Sequence, residues 1–178
     1  MRRLLSIAAA LAFLSTLFGA NTAAADDEAM IFHPWYAAQD LYTKCMAVSG
    51  GVMANGTKVI QWPCNPSSPE HYWSRIPLLS DNGYYLIRNK KNSNFCLSVP
   101  NNWVSPDVQL TIWTCQNAPG QLWDARQFDK LGFEIINKKS QLAVAIYQES
   151  SKNGAPIVQA PRNSRLNQTW NDEPGPIW

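Results

Sequence analysis

Histidine and charge are both scarce in this chain. Its 178 residues hold two histidines, His33 and His71, and charged residues make up 16% of the total. No serine elbow, phosphate loop or paired-carboxylate motif accompanies the histidines. An enzyme needs a positioned acid, base or nucleophile, so the expectation is a protein that is not an enzyme and needs no cofactor. The scattered carboxylates leave one exception open, a glycosidase whose acid pair converges only in space. Strong net charge is absent too, at +2 for the whole chain. That excludes partners recruited by bulk charge, nucleic acid first among them.

Long apolar runs are confined to one end. Arg2 and Arg3 precede an almost uninterrupted apolar stretch, Leu4 to Leu17, followed by Ala23-Ala24-Ala25. This order reads as a secretory signal peptide, residues 1–25, cleaved before Asp26. The run is shorter than the ~20 residues of a spanning helix. The expected location is therefore extracellular. Loss of Arg2 and Arg3 lowers Lys plus Arg from 15 to 13, against 13 Asp plus Glu, so the secreted chain is close to neutral. Residues 26–35 read as a short N-terminal segment and 36–178 as one domain.

Long helical periodicity is also missing. In its place stands a motif repeated three times. The first copy holds Lys44-Cys45-Met46-Ala47-Val48, then Val59-Ile60-Gln61-Trp62-Pro63-Cys64, then His71-Tyr72-Trp73. The second holds Phe95-Cys96-Leu97-Ser98-Val99, then Leu110-Thr111-Ile112-Trp113-Thr114-Cys115, then Gln121-Leu122-Trp123. The third holds Leu142-Ala143-Val144-Ala145-Ile146, then Ile157-Val158-Gln159-Ala160-Pro161-Arg162, then Gln168-Thr169-Trp170. Gly56, Asp107 and Gly154 fall at one aligned turn position, with Asn-Gly hairpin pairs in the first and third copies. Strand-like runs such as Gly83–Arg88 and Phe133–Ile136 open the later copies. Four short strands in each of three copies, about 36–80, 81–129 and 130–174, predict an all-β chain of twelve strands. A repeat of this size cannot bury its apolar face alone, so the copies are expected to close on one another.

Cys-Leu-x-Val, an aromatic two residues before a second cysteine, and Gln-x-Trp, the last in two exact copies and one near copy (His71-Tyr72-Trp73) in register, resemble the ricin-B-type lectin family. The resemblance covers residues 36 to 174 and implies a β-trefoil. Four cysteines in a secreted chain suggest two disulfides, and the equal spacing within copies pairs Cys45 with Cys64 and Cys96 with Cys115. The third copy has Ala143 and Arg162 instead, so it should depend most on packing. With all cysteines paired, no thiol nucleophile remains. A metal site is not expected, since the cysteines are not closely paired and no histidine partner is evident. Trp73, Trp123 and Trp170 are expected in the core, with Gln121 and Gln168 bonding nearby backbone and His71 standing in for the glutamine of copy one.

The resemblance also implies where sugar would bind. Family members use an Asp two residues after the first cysteine, an aromatic two before the second, and an Asn before the Gln of Gln-x-Trp. Here the Asp positions hold Ala47, Ser98 and Ala145, and the Asn positions hold Glu70, Gly120 and Asn167. The aromatic remains as Trp62 and Trp113 but is Ala160 in copy three. Trp62 and Glu70, Trp113 and Ser98, and Asn167 are thus the candidate sugar contacts, with the third copy expected to be mainly structural. Trp103, in a polar loop, is a candidate exposed contact. Trp35 and Trp178 are expected to pack together near the chain ends. Lys90, Lys91, Lys138, Lys139, Arg162 and Arg165 read as solvated loop charges, with a sulfate or phosphate site as the lesser alternative. Two functions are in play. One is a non-catalytic module, monomeric or in a small complex, that binds a glycan or polysaccharide. The other is a trefoil that contacts a protein or membrane surface, as in the lectin-like accessory subunits of toxins.

Overall fold

The computed structural model describes residues 29–34, 44–78, 83–127, 132–163 and 165–174. The expected signal peptide, its cleavage point at Asp26 and the terminal pair Trp35 and Trp178 lie outside the described residues.

Thirteen strands are present among the described residues: β1 (Met30–Pro34), β2 (Lys44–Val48), β3 (Val59–Pro63), β4 (Tyr72–Pro77), β5 (Tyr85–Asn89), β6 (Phe95–Ser98), β7 (Val108–Gln109), β8 (Thr111–Thr114), β9 (Trp123–Gln127), β10 (Phe133–Asn137), β11 (Ala143–Ile146), β12 (Ile157–Ala160) and β13 (Trp170–Pro174). The helical elements among the described residues are all short 3₁₀ turns. The expectation of twelve strands is exceeded by one because Leu110 divides β7 from β8. Its N–H turns to Ile157 O at 2.8 Å and its carbonyl accepts from Val59 N at 2.9 Å, so Leu110 bonds two other hairpins.

Pairings of β1 with β13 and β4, β4 with β5, β5 with β9, β9 with β10, and β10 with β13 close a ring of six strands. Closure leaves those strands no free edge. Strand β1 lies inside the segment 26–35 that was set apart from the domain by sequence, and it completes this ring. Three hairpins, β2–β3, β6–β8 and β11–β12, stand beside it. Their apolar sides meet at Val59, Leu110 and Ile157, all fully buried.

Trp73, Trp123 and Trp170 are fully buried, as their recurrence implies. Each indole N–H donates to a carbonyl in its own copy: Met46 at 3.0 Å, Leu97 at 3.1 Å and Val144 at 2.9 Å. A buried indole left without such an acceptor would be destabilised by about 1–3 kcal/mol.

The disulfides are Cys45–Cys64 and Cys96–Cys115, each spanning 19 positions. Each contributes about 3 kcal/mol in the chain-entropy treatment. The third copy is fastened differently, and Arg162 is not the solvated charge expected of it. Its Nε and Nη2 donate to Glu134 Oε2 at 3.0 and 2.8 Å, and the Glu134 side chain is only 2% exposed. Strand register explains the substitution. Tyr85 faces Trp123 and Phe133 faces Trp170, so Leu86 and Glu134 occupy the same place in their copies. Leu86 packs in an apolar cluster with Cys96 and Leu122. Where the cysteines are missing, a carboxylate and guanidinium bridge the same gap.

Candidate functional site

Each copy carries a 3₁₀ turn directly after its second strand: Ser49–Gly51, Pro100–Asn102 and Tyr147–Glu149. Two successive residues in each turn have positive φ, at 61° and 63° for Gly50 and Gly51, 51° and 53° for Asn101 and Asn102, and 50° and 53° for Gln148 and Glu149. The turn swings the chain back over the hairpin and leaves a shallow cleft. The three clefts measure about 300, 210 and 340 Å³ in copy order.

Trp62 and Trp113 line the first two clefts, and both remain partly exposed, at 44% and 39%. Each indole is supported by the hairpin tip of a different copy. An ideal Cβ on Gly154 would lie 3.8 Å from the Trp62 ring, and one on Gly56 would lie 3.8 Å from the Trp113 ring. The opening residue of each hairpin reinforces this seam. Asn55 Oδ1 accepts from Thr114 N at 2.7 Å, and Lys44 Nζ donates to Asn153 Oδ1.

Around those indoles the polar groups differ from expectation. Glu70 lines the first cleft, but its carboxylate is engaged by Lys91, whose Nζ sits 3.5 Å from Glu70 Oε2 and donates to Gly51 O at 2.9 Å. Lys91 is therefore not a simply solvated charge. Gly51 has φ 63°, and a Cβ there would approach that ammonium to 2.8 Å, so a larger residue would have to displace the Lys91 tip. His71 is buried and accepts from Asn65 N at 3.2 Å through Nδ1. Burial lowers its pKa, outweighing the nearby Glu70 carboxylate, which raises it. Gln121 and Gln168 act as the motif implies. Their Oε1 atoms accept from Gln116 N at 2.8 Å and Asn163 N at 3.0 Å, and their Nε2 atoms donate to Thr114 O and Pro161 O.

The second cleft contains a residue that motif reading missed. Ser98 lies at its rim but is only 7% exposed. Its hydroxyl donates to Val99 O at a long 3.5 Å. Asn102 instead supplies the amide that Gly120 lacks, accepting from Gly120 N at 2.7 Å through Oδ1. That bond fixes the amide so that Nδ2 is the free donor. A Cβ at residue 120 would lie 2.6 Å from Asn102 Oδ1 and 3.0 Å from Val99 O, so this exchange requires glycine. Asn102 stands six residues after Cys96, but the same offset holds Gly51 and Glu149 in the other copies, so no recurring residue type marks it.

Asn167, in the third cleft, is 8% exposed and donates to Ile146 O at 3.0 Å through Nδ2. Arg165, expected to be solvated, pairs with Glu149. Lys138 lies over the Tyr84 ring at 5.0 Å from its centre. Trp103 is exposed at 55%, and so are Val104 and Val52. Its backbone carbonyl is held by Gln159 Nε2 at 3.0 Å.

The sequence showed no histidine near the cysteines, yet His33 Nδ1 lies 3.5 Å from Cys64 Sγ and 3.7 Å from Cys45 Sγ. Both sulfurs are in the disulfide, so neither is a thiolate that could ligate a metal.

Several known proteins resemble this chain. A family model described as ricin-type β-trefoil lectin domain-like matches residues 38–102 and 73–160, together more than half of the chain. No curated protein sequence matches it. Among solved structures, 1,3Gal43A, an exo-β-1,3-galactanase from Clostridium thermocellum, superposes with a TM-score of 0.76 at 20% identity, over 84% of this chain but 31% of that one. The Rhizoctonia solani agglutinin gives 0.71 at 16% identity, over 83% and 95% of the two chains. The Haemophilus ducreyi cytolethal distending toxin gives 0.66 at 14% identity, over 85% and 86%. These likenesses establish the fold, and the family match establishes descent: the chain belongs to the ricin-type β-trefoil lectin domain-like family.

Proposed function

We propose that this chain is a secreted, non-catalytic carbohydrate-binding module of three repeated copies, with signal peptide 1–25 removed. The observation that carries the reading is the placement of Trp62 and Trp113. Both are large aromatics left partly exposed at equivalent clefts of a protein that buries its other aligned tryptophans. An indole face stacks on the C–H face of a sugar ring, and hydroxyls at the ring edge need hydrogen-bond partners. The clefts sit at or below the low end of enclosed small-molecule pockets, ~300–1,000 Å³, which suits a single sugar unit bound weakly. Useful affinity would then come from several clefts engaging one polysaccharide. The galactanase and the agglutinin are respectively an enzyme on a galactan and a protein named for agglutination, and the same fold in both supports this reading. The burial of both histidines supports a non-catalytic role.

A glycan array probed with the secreted protein tests it. Binding to a defined glycan class that drops in Trp62→Ala and Trp113→Ala supports the reading. An array with no ligand, together with unchanged retention of both variants on immobilised polysaccharides, refutes it.

A second reading rests on a different observation, the exposure of Trp103 beside Val104. In it the trefoil docks a protein or membrane surface, and the likeness to the cytolethal distending toxin favours that use. Cell-surface retention lost in Trp103→Ala but kept in Trp62→Ala/Trp113→Ala would support it. Retention unaffected by Trp103→Ala would refute it.

A further inference from the structure

The register that aligns the copies sets Met30 against Trp73, Tyr85 against Trp123 and Phe133 against Trp170. Three positions further along each strand stand His33, Arg88 and Ile136, which are therefore equivalent. Each lies beside its copy's first cysteine position: His33 Nδ1 is 3.7 Å from Cys45 Sγ, Arg88 pairs with Cys96, and Ile136 pairs with Ala143. Two of the three are satisfied by the fold. His33 Nδ1 donates to Lys44 O at 3.0 Å. Ile136 is apolar and 1% exposed. Arg88 differs. Among the described residues its guanidinium makes no hydrogen bond and no ion pair, and its Nε is shielded from solvent. Its partners across the sheet, Ser74 and Cys96, carry no charge.

A partly desolvated cation with no counter-charge is unfavourable, and the same loss of water strengthens its attraction for an anion. Arg88 is half-buried and lines a depression of about 460 Å³ at the open end of the β6–β8 hairpin. Ser93, Asn94, Phe95 and Thr114 line it too, and no acidic residue does. Thr114 is committed, its N–H and its hydroxyl both donating to Asn55 Oδ1. Ser93 and Asn94 are exposed. Their loop is fastened by its backbone: Asn94 N donates to Asn92 Oδ1 at 3.0 Å, and Asn94 O accepts from Cys115 N at 2.9 Å. The groups left for a ligand are a guanidinium, a hydroxyl and an amide, beside the Phe95 ring.

We infer that this depression is an anion site that takes a carboxylate, with the Nη end of Arg88 donating to both carboxylate oxygens and Ser93 Oγ and Asn94 Nδ2 as further donors. The shielded Nε is not itself a contact. It marks the desolvation that makes the Nη end attractive. A guanidinium meets a planar carboxylate through two parallel N–H bonds, and its single positive charge balances a single negative one. Copies one and three lack the site, because His33 is bonded to Lys44 O and Ile136 has no charge. The depression shares no lining residue with the three clefts, and the inference does not rest on the carbohydrate-binding reading.

The test is a ¹H–¹⁵N NMR titration of the secreted protein with acetate, methyl sulfate and phosphate in turn, the ionic strength held constant with chloride. Acetate is expected to shift the Arg88 Nε–H, the Asn94 side-chain amide and the Ser93 and Asn94 backbone amides along one saturating curve. The Trp62 and Trp113 indole N–H signals should stay still. Arg88→Gln should abolish the curve, and Arg88→Lys, which keeps the charge without the fork, should weaken it about tenfold. Asn94→Ala, at an exposed loop position, should weaken it by about tenfold as well. Acetate should also raise the urea midpoint of the unaltered protein and leave that of Arg88→Gln where it was. No saturating response, or the same curve in Arg88→Gln, overturns the inference while the carbohydrate-binding reading stands. Equal curves for the unaltered protein and Arg88→Lys overturn recognition by the fork. Tighter binding of methyl sulfate or phosphate than of acetate overturns the ligand class.

Discussion

Transplanting the missing third disulfide should fail unless Glu134 is changed with it. Ala143 pairs with Ala160 in the same register that sets Cys45 against Trp62 and Cys96 against Trp113. Ala143→Cys/Arg162→Cys therefore has the geometry of the two native bridges, whose Cα atoms lie 5.2 and 5.1 Å apart. A bridge closing a loop of this length is worth about 3 kcal/mol. The same change removes Arg162, however, and leaves the Glu134 carboxylate buried without its partner. Stranding one member of a buried pair costs about 3–5 kcal/mol. Arg162 is 44% exposed, so solvent already screens the pair and the lower end applies. The double variant should come out near neutral. Adding Glu134→Leu, the residue copy two uses at this place, removes the stranded charge and should release roughly 3 kcal/mol. For a domain of this size that raises Tm by about 6–12 °C. Urea unfolding followed by tryptophan fluorescence reads the stabilities, and thiol titration confirms that the new bridge has formed. Full stabilisation by the double variant alone would refute the argument, since it would mean that Glu134 does not need Arg162.

Three further outcomes are expected. Because burial holds the His71 pKa below 6.5, the unfolded chain binds a proton more readily than the folded one, so stability is whole above pH 6.5 and falls as pH drops through it. His71→Gln, which mimics Gln121 and Gln168, should flatten that part of the profile in urea midpoints measured across pH. Gly120→Asn, which restores the family residue, should lower the stability read by urea unfolding by about 1–3 kcal/mol through overpacking, because its Cβ would lie within 3.0 Å of Val99 O and Asn102 Oδ1. Ala160→Trp should destabilise by a similar overpacking term of about 1–3 kcal/mol against Asp107, and Ala160→Trp/Asp107→Gly should recover it. Equal midpoints for those two variants would show that Asp107 does not occupy the indole's place.

Much of the scaffold was legible in the sequence because its landmarks act within a copy. Cysteine spacing, the buried tryptophan of each closing motif and its Gln partners depend on residues no more than about one hairpin away. Their recurrence at fixed offsets carries them into one dimension. The aromatic floors Trp62 and Trp113 were legible for the same reason. What only the tertiary structure decided lies at the seams between copies. Asp107 enters the third cleft from copy two, and Gly56 and Gly154 support indoles they never neighbour in sequence. Arg162 reaches Glu134, 28 positions away. Lys91 neutralises the Glu70 that was expected to face a ligand. Offsets within a repeat hold no information about contacts formed when three repeats close around Val59, Leu110 and Ile157. The sequence by itself therefore determined a threefold scaffold and two aromatic clefts, while closure of the ring decided which polar groups stand free in each cleft.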